Sequence, residues 1–569
     1  MDAENGALYS QQLLISDRSS PLQVRIRIPN RTISNSPTPE KTRSRFALGG
    51  SKSVALGILV SRITGLVRER VIGHFFGVES IVADALRQAV RIPNLLNNLF
   101  GEGVLSASFV TVYAKLRARG EDEEADRLAA AVFGILSLVC AVLVLFGVVL
   151  TPWIIDVVAP GFKGKERILT IALVRILFPA TGLLVLSAWC LGVLNSHRRF
   201  LLSYLAPVAL NIVVIVVAMR AGGHVAEEKL AAEVAWAFVL GAALQFLVQL
   251  PKVLELLPGF RPELNIHSTH VRSVFRNFGP IFLSRGVVQI SSYVDQIIAS
   301  WLPVGAVAAM GYGQVIGTLP ISLFSMSVSA AELPALSSAV GSQEEVANFL
   351  RSRLVSGLRR IAFLVVPSAV AFLVLGDVLA AALYQSGQFK HADAVYVWAV
   401  LAGSAIGLLA TSLGRLYSSA FYALLDTRTP LRFAVVRVAL TSVLGLLFAL
   451  PMPRWLGIEQ RWGVAGLTVS AGIAGWIEFV LLRHALGKRI GKTPLSPAFL
   501  SRLWAVAFLG ASLAFPIKLA VGTAHPILLA CLSLPVYGGV YFAGTALLGV
   551  AESRNTLRAL TRRLGLRFL

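Results

Sequence analysis

Apolar runs of about twenty residues or more, separated by short polar joints, recur from residue 53 almost to the end of the chain. A helix of that length crosses a hydrocarbon core of about 30 Å. The short alternating segments of a β-barrel are missing. The pattern predicts an all-α integral membrane protein of about fourteen helices. They fall at roughly 53–77, 80–115, 128–158, 168–196, 200–220, 230–256, 272–301, 305–340, 352–385, 391–424, 430–451, 462–486, 498–522 and 526–551. Runs longer than about 30 residues must tilt, bend or extend beyond the core. Pro93 and Gly103 in the second span and Pro320 in the eighth are the expected bends.

A faint internal repeat divides the pattern. Ser61-Arg62 stands early in the first span and Ser284-Arg285 early in the seventh, and a long helix with a proline, Pro93 or Pro320, follows each. The expected organisation is a basic, disordered cytoplasmic tail over 1–50, then a first six-helix lobe over 51–258. A second, pseudo-symmetric lobe follows over 259–488, with two further helices and a basic end over 489–569. Two lobes facing each other across a central cavity is the layout of an alternating-access transporter.

Composition sharpens this reading. The chain of 569 residues is 56% hydrophobic and only 14% charged, with a mean hydropathy of +0.72. Its formal charge of +22 sits mainly in joints and tails, which favours membrane orientation and contact with anionic lipid heads over nucleic acid. Lys115, Arg117 and Arg119, Arg198 and Arg199, and Arg351 to Arg360 fall on one side, with both chain ends. By the positive-inside rule that side is cytoplasmic, although Lys163, Lys165 and Arg167 on the other side run against it. Cys140, Cys190 and Cys531 lie inside apolar runs without metal-ligand spacing, so they read as packing residues.

Charge inside the apolar runs carries the functional signal. Asp84, then Arg87 or Gln88, Arg91, Asn94, Asn98 and Glu102 recur at steps of three or four, along one helical stripe. In the first span Arg62 and Glu69 share a face, Ser61 and Arg68 share the adjoining one, and Gly65 leaves room between them. An arginine near the bilayer centre costs about 2.5–3.5 kcal/mol on insertion scales, so several of them imply a wet, basic wall with an anionic occupant. Guanidinium forks donate paired hydrogen bonds that suit phosphate oxygens. The expected ligand-facing residues are Ser61, Arg62, Gly65, Arg68, Arg91 and Asn94, with Arg285 added through the repeat. Asp84, Asn97, Asn98 and Glu102 are expected to gate or brace. The bland alternatives are that Arg62 snorkels to the cytoplasmic face and that Arg87 and Arg91 pair with Asp84. Arg437 and Glu332 are intramembrane charges without an assigned partner.

No H-E-x-x-H, Walker loop or G-x-S-x-G occurs. The chain therefore reads as no enzyme and as needing no cofactor, and active transport would draw on an ion gradient or the membrane potential.

The pattern S-R-x-x-G-x-x-R from Ser61, then A-D-A at 83–85, then I-P-N-L-L-x-x-L-F-x-E-G-x-x-S-x-x-F resembles the opening of the MurJ (MviN) lipid II flippases. These belong to the multidrug, oligosaccharidyl-lipid and polysaccharide exporter superfamily. APGF at 159–162, P-V-A-L-N-I at 207–212 and S-S-A-F-Y-A-L-L-D-T-R-T-P at 418–430 extend the resemblance over about 50–490. It implies a flippase in the bacterial inner membrane that moves the undecaprenyl-diphosphate-linked peptidoglycan precursor outward; the alternatives are a flippase for another lipid-linked oligosaccharide, of O-antigen or capsule type, and a cation-coupled multidrug antiporter. It also implies a monomer with a lipid-tail groove on the last two helices and contacts to cell-wall synthesis proteins. Ser61, Arg62, Gly65, Arg68, Asp84, Asn94 and Glu102 match the functional pattern of the first two spans. Asn97 and Val315 stand where well-known members carry arginines, and Arg91, Arg285 or Arg437 is expected to compensate. For the sodium site of some members, Asp295 fits, but Thr441 and Gly445 replace the expected amide and carboxylate.

Overall fold

The computed structural model describes residues 43–100, 105–265, 268–338, 342–424, 426–522 and 525–563. The tail expected over 1–50 lies, up to residue 42, outside the described residues. Gly50–Leu569 forms one compact unit. Among the described residues there is no strand, only an isolated bridge between Ser386 and Phe389.

The chain opens with two helical hairpin arms, α1 (Arg43–Phe76) and α2 (Ile81–Phe100), joined by a tight turn. A π-helical turn (Ser106–Val110) leads into α3 (Thr111–Ala118). Then come α4 (Asp122–Val158), α5 (Gly164–Ser196), α6 (Phe200–Ala221) and α7 (Glu227–Leu256). A second hairpin, α8 (Thr269–Ala299) and α9 (Ala306–Pro320), mirrors the first, and another π turn (Ile321–Ser325) leads into α10 (Met326–Ser337). The series closes with α11 (Gln343–Tyr384), α12 (His391–Ala423), α13 (Arg428–Ala449), the short α14 (Pro451–Trp455), and α15 (Gly463–Ile490). After them come α16 (Pro497–Val521), α17 (Pro526–Leu547) and α18 (Ala551–Arg563).

The turns of the two hairpins both depend on glycine. Gly77 (φ +62°) ends α1 and Gly305 (φ +96°) precedes α9, a backbone region that side chains with a Cβ rarely enter. Pro320 has no N–H for the carbonyl of Ile316, and the π turn follows it directly. At the head of α11 a capping box fixes the start: Glu345 N donates to Ser342 Oγ (3.3 Å) and Ser342 N to Glu345 Oε2 (2.8 Å).

Within the first half α2 and α7 pack on α5, and α6 packs on α7; within the second, α11 and α15 flank α12 and α13 lies on α15. Gly407 of α12 and Gly472 of α15 meet so closely that a Cβ on Gly407 would run into the Gly472 backbone. Small residues of this kind let helices approach in a medium that gives no hydrophobic drive. The two halves are not cleanly separate. Val271 and Val274 at the head of α8 are buried in a cluster with Leu105, Phe109 and Tyr113 of the first half, so α8 begins against one half and ends in the other. α16 and α17 pack on each other and on α11.

Large apolar side chains on the outside, such as Phe146, Trp153, Val157, Trp236, Leu513 and Leu547, are exposed, as a protein solvated by lipid requires. Eleven helical segments are long and apolar enough to cross a membrane. The expected spans that fall short of that measure among the described residues are α1, α2 with α3, and α8. They carry Arg62, Arg68, Glu69 and Arg70; Asp84, Arg87 and Arg91; and Arg272, Arg285 and Asp295. Four of these residues, Arg68, Glu69, Arg87 and Arg91, line one cavity between the hairpins.

Candidate functional site: an arginine-lined cavity between the two hairpins

A cavity of about 340 Å³ lies where α1 and α2 face α9, with Phe238 of α7 and Gln296 of α8 completing its wall. Three guanidiniums line it, those of Arg68, Arg87 and Arg91, with one carboxylate, Glu69. Glu69 joins two of them. Its Oε1 accepts from Arg68 Nη2 at 2.7 Å, and its Oε2 lies 2.5 Å from Arg87 Nη1. Hairpin geometry brings this pair together: Glu69 stands eight residues before Gly77 and Arg87 seven after Ser80, so both lie about 10–12 Å from the turn at 1.5 Å per residue. Tyr312, seven residues past Gly305 in the second hairpin, lies at the same depth.

Each guanidinium is braced. Arg68 also donates to Asn211 Oδ1 (3.0 Å) and sits 5.2 Å from the Phe238 ring centroid. Arg87 lies 3.8 Å above the Tyr312 ring, and Arg91 lies 4.9 Å above that of Tyr293 and donates to Gln314 Oε1 (3.0 Å). Cation–π contact with a ring face holds such a group without neutralising it.

The cavity is closed at the end where the hairpins turn. Asp84, 2% exposed, accepts backbone N–H bonds from Gly305 (2.7 Å) and Ala308 (2.6 Å), capping α9 from across the two halves. Arg70 donates to the carbonyls of Ala382 and Leu383 at the end of α11. Gly161 N donates to Ser300 Oγ (3.1 Å), Gln388 N to the carbonyl of His74 (2.8 Å), and Arg461 pairs with Glu79 (3.1 Å). Exposure rises away from this seal: Asp84 and Ala308 are buried, Arg87 and Gln314 half-buried, Asn94 and Thr318 exposed. The cavity opens towards the C-terminal ends of α2 and α9.

Of the residues singled out in the sequence, Arg68, Arg91 and Asn94 meet in this cavity. Ser61, Arg62 and Gly65 do not line it. Arg62 is exposed, while the Ser61 carbonyl accepts from Asn211 Nδ2 (3.4 Å), the atom that Gly65 faces. Asn97 is half-buried and Asn98 exposed; Glu102 and the side chain of Arg285 lie outside the described residues. The alternative pairing of Arg87 and Arg91 with Asp84 is not seen: the Asp84 carboxylate is taken by the α9 backbone, and Arg87 goes to Glu69. Sequence reasoning passed over Arg87 as a cavity residue, although its depth, equal to that of Glu69, was a readable signal. Tyr312, Gln314 and Phe238 carried no such signal, because nothing in a single sequence says which apolar face meets a distant arginine.

A second cavity, of about 480 Å³, lies within the second half and is lined by Asp295, Arg415, Arg437 and Glu478 among others. Arg437 pairs with Glu478 (3.2 Å). Asp295 there shares its surroundings with two guanidiniums. Thr441 offers a buried hydroxyl without a partner and Gly445 offers no side chain. Among the described residues no group of three or more His, Cys, Asp or Glu could hold a metal ion. Two guanidiniums beside Asp295, and no amide or carboxylate at 441 or 445, do not fit a sodium ion.

The family described as "Lipid II flippase MurJ" matches residues 72–531. The chain is 32% identical over 438 residues to "Lipid II flippase MurJ" of Burkholderia cenocepacia, covering 76% of this chain and 82% of the relative.

The chain belongs to the MurJ family.

It is also 29% identical over 525 residues to "Probable lipid II flippase MurJ" of Rhizobium meliloti, covering 89% of this chain and 94% of that one. Among solved structures, "Lipid II flippase MurJ, inward closed conformation" superposes with a TM-score of 0.72 at 22% identity, over 87% of this chain and 99% of that one. An inward-facing MATE-family multidrug resistance transporter of the MOP superfamily follows with a TM-score of 0.57 at 17% identity, over 75% of this chain and 95% of that one. These structural likenesses show a shared fold, and the eleven long apolar helices a multi-pass membrane protein. The MurJ match begins at Ile72, so Asp84, Arg87 and Arg91 fall inside it, while Arg68 and Glu69 stand just before it.

Proposed function

We propose that this protein is a lipid II flippase of the bacterial inner membrane. It carries the undecaprenyl-diphosphate-linked peptidoglycan precursor from the cytoplasmic to the outer leaflet by alternating access. One observation carries the reading: three guanidiniums face one carboxylate in a cavity inside a lipid-solvated helical fold. A net positive hollow in such a place suits a doubly anionic head group, and it argues against a cation-coupled drug antiporter. Membership of the MurJ family supports the choice of lipid.

In this reading α1, α2 with α3, and α8 cross the membrane along with the eleven apolar segments, which leaves both termini in the cytoplasm. The seal then faces the outer leaflet and the open end faces the cytoplasm. The diphosphate enters against Arg68, Arg87 and Arg91, while the polyprenyl tail stays in lipid along the exposed apolar faces of α16 and α17. The halves rock, the seal parts, and the head leaves on the far side. An inside-negative potential favours that exit by about 2.3 kcal/mol per charge per 100 mV, roughly 4–5 kcal/mol for two unscreened charges. The protein works as a monomer beside the cell-wall synthesis machinery.

The test is translocation of fluorescent lipid II in proteoliposomes, together with rescue of a strain depleted of its own flippase. The intact chain should do both, and the Arg68→Gln/Arg91→Gln double variant should lose at least tenfold in rate. Well-expressed intact protein that leaves lipid II in place would remove the substrate, and an unimpaired double variant would remove the site.

A further inference from the structure

The ion pairs of the cavity are arranged in an unusual way. A single carboxylate, that of Glu69, spreads its two oxygens over two guanidiniums, Arg68 at 2.7 Å and Arg87 at 2.5 Å. That is the position a phosphate group would take between the same two forks. Neither fork is used up: Arg68 Nε, and Arg87 Nε and Nη2, are buried without a hydrogen-bond partner. A purely structural salt bridge between buried groups would be expected to satisfy those donors, since each unsatisfied one carries a desolvation penalty. Both guanidiniums are also held independently of Glu69. Phe238 lies under Arg68 and Tyr312 under Arg87, and a Cβ on Gly311 would touch the Arg87 side chain, so α9 closes tightly over it. These contacts do not involve the carboxylate.

We infer that Glu69 is a built-in competitor: it occupies the seat of a diphosphate on Arg68 and Arg87 while the cavity is empty and yields that seat when the ligand enters. Arg87 is accordingly the second guanidinium of the binding site. The inference rests on the reading of this cavity as an anion site and adds a reason for its design. Bare buried guanidiniums would repel one another in the empty state and would bind a diphosphate too firmly to let it go. A tethered carboxylate limits both effects, because it is always present to retake the forks and so favours release. The exchange involves only hydrogen bonds and ion pairs, with no covalent step.

The sign of one substitution separates this from a structural role. Binding of inorganic pyrophosphate is measured by calorimetry on the full-length protein in zwitterionic nanodiscs, in potassium gluconate so that chloride does not compete. Glu69→Gln should bind pyrophosphate at least tenfold more tightly than the intact protein. Arg87→Gln should bind at least tenfold more weakly, with Arg87→Lys between. Equal or weaker binding by Glu69→Gln overturns the competitor, unchanged binding by Arg87→Gln overturns the second guanidinium, and no binding by any variant overturns both. If Glu69→Gln does not fold, Glu69→Asp decides in its place. Its shorter arm keeps the charge but cannot bridge both forks, so binding should tighten at least threefold, and equal or weaker binding overturns the proposal. Tighter pyrophosphate binding without lipid II transport would leave the exchange standing and remove the substrate. Transport of lipid II with an affinity indifferent to Glu69 would do the reverse.

Discussion

Two buried carboxylates of the first hairpin, fifteen residues apart in sequence, have opposite relations to the charge around them. Glu69 pairs with two arginines, Arg68 and Arg87; Asp84 accepts from backbone N–H groups at the head of α9. An acceptor at a helix N-terminus satisfies N–H donors that have no partner within the helix. Asp84→Asn keeps the shape but replaces one acceptor oxygen by a donor, leaving one of those N–H groups unmet, at a cost of about 1–3 kcal/mol. The variant should therefore melt at a lower temperature in detergent, and an unchanged melting curve would refute the cap. Sequence placed Asp84 on a polar stripe, as a residue expected to gate or brace. It did not show the partner, because backbone N–H groups leave no mark in a sequence. Glu69 with Arg87 was the readable case, since a hairpin pairs residues of equal depth by arithmetic alone.

At the scale of elements, the apolar runs located almost every helix, since length and hydropathy are local properties. Interruptions were harder. Pro320 ends α9 and a π turn follows it, as an unmet carbonyl at 316 requires. Pro93 instead lies inside an unbroken α2, and the π turn of that arm comes at Ser106–Val110, beyond residues 101–104, where expected Gly103 lies outside the described residues. Connections also carry structure. Between α12 and α13, Asp426 accepts from Thr429 N (3.0 Å), Thr429 Oγ1 (2.7 Å), Arg428 N (3.1 Å) and Arg489 Nη2 (2.6 Å). The Thr429 N–H above all, then its hydroxyl and Arg489, hold this carboxyl at a pKa of about 2, below the ordinary 3.8. A depressed folded-state pKa means that the stabilisation is complete above the unfolded value and is lost as pH falls through the folded one. Between pH 4 and pH 2 the intact protein should lose thermal stability more steeply than Asp426→Asn, which is already without it above pH 4. Parallel melting curves across that window would refute the assignment.

At the scale of the whole molecule, the mechanism depends on which contacts join the halves. On the turn side of the cavity they are many and short: Asp84 on α9, Arg70 on the end of α11, Gly161 on Ser300, Glu79 on Arg461. Towards the other side the cavity walls become exposed, while the head of α8 stays packed on the first half. In the proposed cycle the first set of contacts acts as the latch and the packed head of α8 as the hinge. The repeat of Ser-Arg and proline positions led to the expectation of two lobes, whereas Gly50–Leu569 forms one compact unit. The packing of the head of α8 on the first half was not legible, because nothing in Val271 or Val274 names a partner surface. If transport requires the halves to rock, every latch contact must break in each cycle, and a covalent tie there must stop it. Glu79→Cys with Arg461→Cys, joined by a short bifunctional thiol reagent through a disulfide-forming linkage, should abolish lipid II translocation, and reduction should restore it. Pyrophosphate should still bind the tied protein, because the tie lies on the sealed side and the entrance is on the other. Full transport through a verified cross-link would mean that the head group passes without the latch opening, and rocking halves would then be excluded.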